Sequence, residues 1–378
     1  MTINHNLRGG RTIVARRNGR TIVSMGHRRG YVQRAYMVRG GRRYVQRTYV
    51  VGGRTYVSVY RSYDYRGVAY YGYAPAYYYQ PAYYGWAYNP WPGPVYYGPA
   101  AWGWAGSPWY GYYGPYFTPY PAYATASLWL TDYLIAANLQ AAYAAQADAN
   151  AAAAQAYQNG AAAQAQADAS AQGSADPPPA AAPATSSQTQ LSPQVKQMIA
   201  DEVKAQLAAE RAAAATPQQA APSSAQVPDA LNPAERVFVV SSTLDVTAAD
   251  SGQECGLTPG DVVMRLSDTP DANQNVTASV QSSKKADCTT GQTVAVSVQD
   301  LQEMHNQFRQ NLDSGLKTLA SNSGKGGLPK APDTTTTSGE VPAPAPDASA
   351  ASQLQDQEQQ ANQTEQTVQQ QAANGQGS

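Results

Sequence analysis

Glycines at 10, 19, 30, 41, 53 and 67 interrupt residues 8–68 every 9 to 14 residues. Between them run variants of one unit: GGRTIVAR, NGRTIVSM, RGYVQRAYMV, GGRRYVQRTYV and GGRTYVSVYRSY. This punctuation leaves room for one strand per unit and no helix. Within a unit the residues alternate, Tyr44, Gln46 and Thr48 against Val45, Arg47 and Tyr49, which is the period of an extended chain. Asn18-Gly19, Gly40-Gly41 and Gly52-Gly53 suit tight hairpin turns, because glycine takes positive φ at little cost. A single strand buries nothing alone, so neighbours must stack. Residues 1–68 therefore predict antiparallel β-hairpin repeats, in a meander or a stack.

The repeat is strongly cationic. Residues 1–70 carry 15 arginines, no lysine and one acid, Asp64, for a charge of +14. The rest of the chain holds 11 Lys+Arg and 25 acids, or −14, so the neutral total is a cancellation. Such asymmetry speaks about partners. A polyanion is the expected partner of the N-terminal part, and the acidic remainder is an internal competitor for the same surface.

Beyond the repeat the composition changes in steps. Residues 69–124 hold 17 of the 28 tyrosines and five of the six tryptophans, with prolines at 75, 81, 90, 92, 94, 99, 108, 115, 119 and 121. Proline removes ladder donors, so an irregular, extended or polyproline-like segment with stacked rings is expected. Residues 125–172 read as an Ala-rich helix with an apolar face of Leu128, Leu130, Leu134, Ile135, Leu139 and Tyr143, broken by Asp132 and Asn138. A linker at 173–191 precedes an amphipathic helix at 192–215, capped by Ser192 with Pro193 at its first position. Its stripe of Val195, Ile199, Val203 and Leu207 invites a partner helix, hence self-association through 125–172 and 192–215. A second linker spans 216–234.

Residues 235–322 are the globular candidate. Eleven valines between Val237 and Val298 point to strands at RVFVV, DVVMRL, NVTASV and TVAVSV. Asp300 with Glu303 resembles a capping box, opening a helix with Leu301, Met304, Phe308, Leu312, Leu316 and Leu319 on one face. Cys255 and Cys288 bracket this small unit and read as a disulfide, the alternative being reduced thiols in a cytoplasmic protein. A disulfide implies a periplasmic, outer-envelope or extracellular protein. MTINHNLRGGRTIVARR lacks an apolar signal core, so the true start would then lie upstream of Met1. No run of about 18 apolar residues exists, and no transmembrane span is expected. The Pro-, Gln- and Thr-rich tail, 323–378, is expected to be disordered. The fold class is thus multi-part and mostly low-complexity: β-hairpin repeats, Ala-rich helices, a small C-terminal β-domain with a following helix (α+β), and a disordered tail.

Two local resemblances touch the β-domain. GLTPGDVVMRL, 256–266, resembles the turn and strand of PDZ domains, but the expected helix before the last strand is missing. TLDV, 243–246, followed by PGDVV, 259–263, resembles a bacterial SH3-like barrel, which implies binding to cell-wall material. The Tyr/Gly/Trp-rich half followed by Ala-rich helices looks like uncharacterised bacterial envelope proteins. The plain alternative is that Gly260-Asp261 is a tight turn with Asp capping backbone donors.

No catalytic constellation is visible. His5, His27 and His305 are scattered, and there is no zinc-ligand spacing, phosphate loop or nucleophile elbow. Neither an enzyme, a metal nor a cofactor is expected. The residues expected to bind anions are Arg39, Arg42, Arg43, Arg47 and Arg54, since guanidinium forks onto carboxylate and phosphate. Tyr44, Tyr49, Tyr56, Trp86, Trp91 and Trp102 are the expected stacking rings. These features predict a structural or binding protein of the envelope that attaches to an anionic polymer, wall glycan or lipopolysaccharide. The alternative is a nucleic-acid binder using the same arm, for RGGR at 8–11 and 39–42 resembles RGG boxes. Internal stacking of arginine on tyrosine competes with both.

Overall fold

A computed structural model describes residues 1–7, 10–25, 29–168, 190–215, 226–284 and 287–375. Residues 173–189 of the first expected linker and 216–225 of the second, together with Arg8 and His27, lie outside these residues. The hairpin repeat forms an antiparallel sheet of strands β1 (Thr2–His5), β2 (Arg11–Arg17), β3 (Arg20–Ser24), β4 (Arg29–Arg39), β5 (Arg42–Val51), β6 (Arg54–Tyr65) and β7 (Val68–Ala74). Each strand pairs with its neighbour in sequence, so the sheet is a meander. Its turns follow from backbone sterics. Asn18 and Gly19 (φ 50° and 71°), Gly40 and Gly41 (56° and 74°) and Gly52 and Gly53 (56° and 81°) take the paired positive φ that a two-residue hairpin needs.

Residues 69–124 are more regular than their prolines suggest. They hold the end of β7, then β8 (Tyr77–Tyr79), α1 (Pro81–Tyr88), β9 (Pro90–Val95), α2 (Pro108–Tyr113) and β10 (Tyr123–Thr125). Pro81 and Pro108 sit at the first turns of the two helices, where the missing N–H has no intrahelical acceptor to lose. Pro90, Pro92 and Pro94 lie in a two-stranded ladder with β10, not inside a wide sheet. The rings are buried against α3 (Ala126–Asp168): Trp129 is 0% exposed and Trp102 stacks on it at 4.3 Å.

The apolar faces of α3 and of α4 (Pro193–Ala215) meet in that same aromatic core, which also contains Leu134, Leu139, Ile199, Val203 and Leu207. The apolar stripe of α4 and that of the first turns of α3 thus find partners within the chain. Asp132, an interruption of the apolar run in sequence, is fully buried and pairs with Lys196 of α4 at 2.8 Å. Burial pushes its carboxyl up and the Lys196 ammonium down, against the pull of each on the other.

The C-terminal unit is a sheet of β11 (Val237–Val239), β12 (Leu244–Ala248), β13 (Glu254–Leu257), β14 (Val262–Arg265), β15 (Asn275–Ser282) and β16 (Thr293–Ser297) in the order β11-β14-β15-β16-β12-β13. The valine runs supply β11, β14, β15 and β16; β12 and β13 carry Asp245, Thr247 and Glu254, which dilute their apolar signal. Helix α5 (Val298–Ser321) follows, capped three positions earlier than expected, by Ser297 and not Asp300: the Ser297 hydroxyl accepts from the Asp300 N–H at 3.0 Å. At Gly260-Asp261 the Asp261 carboxylate accepts from the Thr258 N–H at 2.7 Å, a tight turn capped by its own side chain. The Cys255 and Cys288 sulfurs lie at bonding distance, 2.09 Å.

Residues 323–375, read from composition as disordered, carry a strand and a helix. β17 (Thr336–Ser338) pairs with β8, and α6 (Ala350–Gly375) lies on the N-terminal sheet. Ala350, Leu354, Gln357 and Ala361 are buried along one helix face, Ala350 and Leu354 against Ile22, Val32 and Val50. Gln-rich sequence hid so sparse an apolar stripe.

One buried acid gives the fold a pH dependence. Glu202 of α4 accepts the backbone N–H groups of Arg236 and Val237 beside β11, and burial with the nearby Glu235 charge pushes its carboxyl up from 4.5 to about 8. Because the folded value is raised, the stabilising proton is fully held below 4.5 and lost as pH rises through about 8. The melting temperature is expected to fall across that window, and Glu202→Gln to remove this group's part of the fall throughout it. Superimposable melting curves of Glu202→Gln and the native chain from pH 6 to 9 would rule this out.

Candidate functional site

The sheet separates the five arginines singled out in sequence. Arg47 is interior: its side chain is 2% exposed, and its guanidinium donates to both Glu303 oxygens at 2.6 and 2.8 Å. Its Nε donates to Gln33 at 2.8 Å, and the guanidinium lies 4.3 Å from the Tyr60 ring centroid and 4.7 Å from that of Tyr31. Helix α5, 256 residues downstream, seals it in. Arg47 therefore offers nothing to an external anion.

Arg54 stands beside the Gly52-Gly53 turn, at the opposite end of the sheet from Arg39, Arg42 and Arg43. The latter three belong to a rim. The antiparallel register brings the β2–β3, β4–β5 and β6–β7 turns to one end, with Arg17 opposite Arg20, Arg39 opposite Arg42, and Arg66 in the third turn. Arg20 also faces Arg34 across the next ladder. Like charges in direct cross-strand register repel. Internal acceptors answer part of this charge. Arg20 pairs with Asp347 at 3.3 Å, Arg43 with Asp64 at 3.1 Å on the exposed face, and Arg39 donates to the Glu340 carbonyl at 2.7 Å.

Most of these acceptors come from the tail. Arg17, Arg20, Arg34, Arg39 and Arg42 share one sheet face with Tyr44, and residues 340–365 run across that face. Arg61 lies 3.8 Å from Glu340, and Arg11 meets Glu365 at 2.6 Å. Serine, glutamine and a few acids of α6 give the tail its grip: the Ser24 hydroxyl donates to Glu358 at 2.7 Å, and Arg17 donates to Gln360. The internal competitor anticipated from the charge asymmetry is thus this segment. Its role was hidden because the sequence carries no signal for which acids fold back.

The rings divide similarly. Tyr44 is 4% exposed under Val341, with its hydroxyl donating to Glu340 at 3.3 Å. Tyr49 is buried and stacks on Tyr56 at 4.9 Å, leaving Tyr56 the open end at 42% exposure. Trp91 is buried, and Trp86 and Trp102 pack on the aromatic core. Of the expected stacking platforms, only Tyr56 presents a large free area.

Sequence reasoning missed two neighbouring acids, the buried Glu210 and the half-buried Asp313. Asp313 of α5 accepts from the Tyr73 hydroxyl at 2.7 Å, while Arg309 reaches Glu210 of α4 at 3.5 Å. Burial and the Glu210 charge hold the Asp313 carboxyl well above the carboxylate range. The two described histidines each sit against an acid: His305 pairs with Glu235 at 3.0 Å and His5 with Glu365 at 2.9 Å. Among the described residues no group of His, Cys, Asp and Glu is arranged to hold a metal, and no helix is long and apolar enough to cross a membrane. No protein-family model matches the chain, and neither a curated protein nor a solved structure matches it.

Proposed function

We propose that the chain is a non-enzymatic structural or binding protein of the bacterial cell envelope, attached to an anionic polymer, wall glycan or lipopolysaccharide, through the arginine rim. The supporting observation is the register of the hairpin tips, which sets Arg17 against Arg20 and Arg39 against Arg42 at the end that also carries Arg66. Opposed guanidinium pairs cost stability unless an anion lies between them, and a paired fork suits carboxylate or phosphate. The disulfide fits an oxidising compartment such as the periplasm or cell exterior. The resemblance of 243–263 to SH3-like barrels points the same way.

The test is retention of the full chain on beads bearing lipopolysaccharide in one arm and teichoic-acid-bearing wall glycan in the other, across sodium chloride. Retention is expected to fall as salt screens the rim, and the double variant Arg42→Ser/Arg43→Ser to elute earlier. Salt-independent retention defeats the proposal. Displacement of the chain from both beads by a single-stranded oligonucleotide at lower concentration than by free glycan would transfer the rim to nucleic acid.

A further inference from the structure

A pocket of about 440 Å³ lies between the β2–β3 hairpin and α6, beside the rim. Its volume falls within the range of small-molecule sites. Its floor is apolar, made by Ala15 and Ile22. The hairpin supplies one wall with Arg17 and Arg20, and α6 the other with Asp356 and Gln357. Gln357 is 4% exposed, and its amide orientation is fixed. Its Nε2 donates to the Ile13 and Ile22 carbonyls at 3.1 Å each, so its oxygen cannot trade places with the nitrogen. That leaves Gln357 Oε1 as a buried acceptor with no donor. A buried acceptor in this state is destabilising, and a ligand hydroxyl that reached it would recover that loss.

The rest of the lining describes that ligand. Arg17 is tied to Gln360 and Arg20 to Asp347 and Ser349, yet a guanidinium carries five N–H donors, so each keeps some for a guest. Two arginines against the one pocket carboxylate, Asp356, favour a guest with a negative charge. Ala15 and Ile22 suit the apolar face of a ring. From this combination we infer that the pocket binds a single sugar unit bearing a carboxylate or a phosphate, with a ring hydroxyl on Gln357 Oε1 and the charged group on Arg17 and Arg20. The inference rests on the reading of an anionic envelope polymer as partner and deepens it. The rim would supply length-dependent attraction, the pocket recognition of one unit.

Calorimetric titration of the full chain with glucuronate, glucose 6-phosphate and glucose tests it. Binding of at least one charged sugar, with glucose weaker, is expected, and the preferred one names the source polymer. Arg17→Ala should weaken that binding about tenfold, the effect of one charged hydrogen bond. Gln353→Trp, on the pocket-lining face of α6, should block the pocket while thermal melting confirms an intact fold. If neither charged sugar binds, or glucose binds equally well, or Gln353→Trp leaves binding unchanged, the inference is overturned. Polymer retention without charged-sugar binding overturns the pocket alone. Charged-sugar binding without polymer retention keeps the pocket and overturns the envelope reading.

Discussion

Reduction of the Cys255–Cys288 disulfide lowers the stability of the C-terminal β-unit by roughly 3–4 kcal/mol, the chain-entropy value for a loop of this length. The bond spans 33 residues and ties β13, at the edge of its sheet, to the loop between β15 and β16. That sheet buries a core of valines and small residues, and β13 pairs only with β12. Without the bond the edge strand relies on one ladder, on Leu257 and on the Gly256 N–H donating to Asp287 at 3.0 Å. Cys255 and Cys288 are 5% and 0% exposed, so a reductant reaches them only through an opening of the edge. Denaturant unfolding of the native chain and of Cys255→Ser/Cys288→Ser measures the effect. Midpoints that coincide would show that the bond restrains nothing in the unfolded chain.

The second large effect comes from Arg47 and Glu303, and it is asymmetric. Arg47 is 2% exposed at its side chain and Glu303 45%. Removing Glu303 leaves a buried guanidinium without its carboxylate, which places Glu303→Ala near the lower end of the 3–5 kcal/mol of a broken buried pair, since solvent screens its exposed side. Gln33 and the Tyr31 and Tyr60 rings soften that loss without neutralising the charge. Arg47→Met leaves a half-exposed carboxylate that water can solvate and fills the tyrosine cage with an apolar chain of similar length, so its cost is about half as large. Chemical denaturation of the two variants decides the order. A costlier Arg47→Met would mean that ring stacking, not charge pairing, holds α5 to the sheet.

What the sequence disclosed depended on whether the physical cause was local. Paired positive φ at Asn18-Gly19 and Gly52-Gly53 is a property of two residues, and the hairpins are where those residues stand. Ser192 was readable for the same reason: its hydroxyl accepts from the Val195 N–H at 3.2 Å. The covering of a surface is different, because it depends on what returns from elsewhere. Alternation set Arg47 beside Val45 and Tyr49, which hinted at a buried face, but nothing near it announced α5. Asp132 looked like a flaw in an apolar helix until Lys196 supplied its counter-charge. In 69–124 prolines argued against order, and the burial of so many rings outweighed them. The rim followed from hairpin register once the turns were placed, whereas the unpaired oxygen of Gln357 depends on a helix that composition gave no reason to draw.

The Gln357 amide clasps carbonyls of Ile13 and Ile22 across sequence separations of 344 and 335. Because α6 is synthesised long after β2 and β3, this face of the sheet is covered only when that helix arrives. Until then Ile22, Val32 and Val50 stay wet, and a row of guanidinium groups stands open to any passing polyanion. Long-range closure of this kind is slow, and the waiting species is sticky. Cellular production should consequently be limited by how well the unfinished molecule is chaperoned, and clipping the last helix should harm yield before it harms anything else.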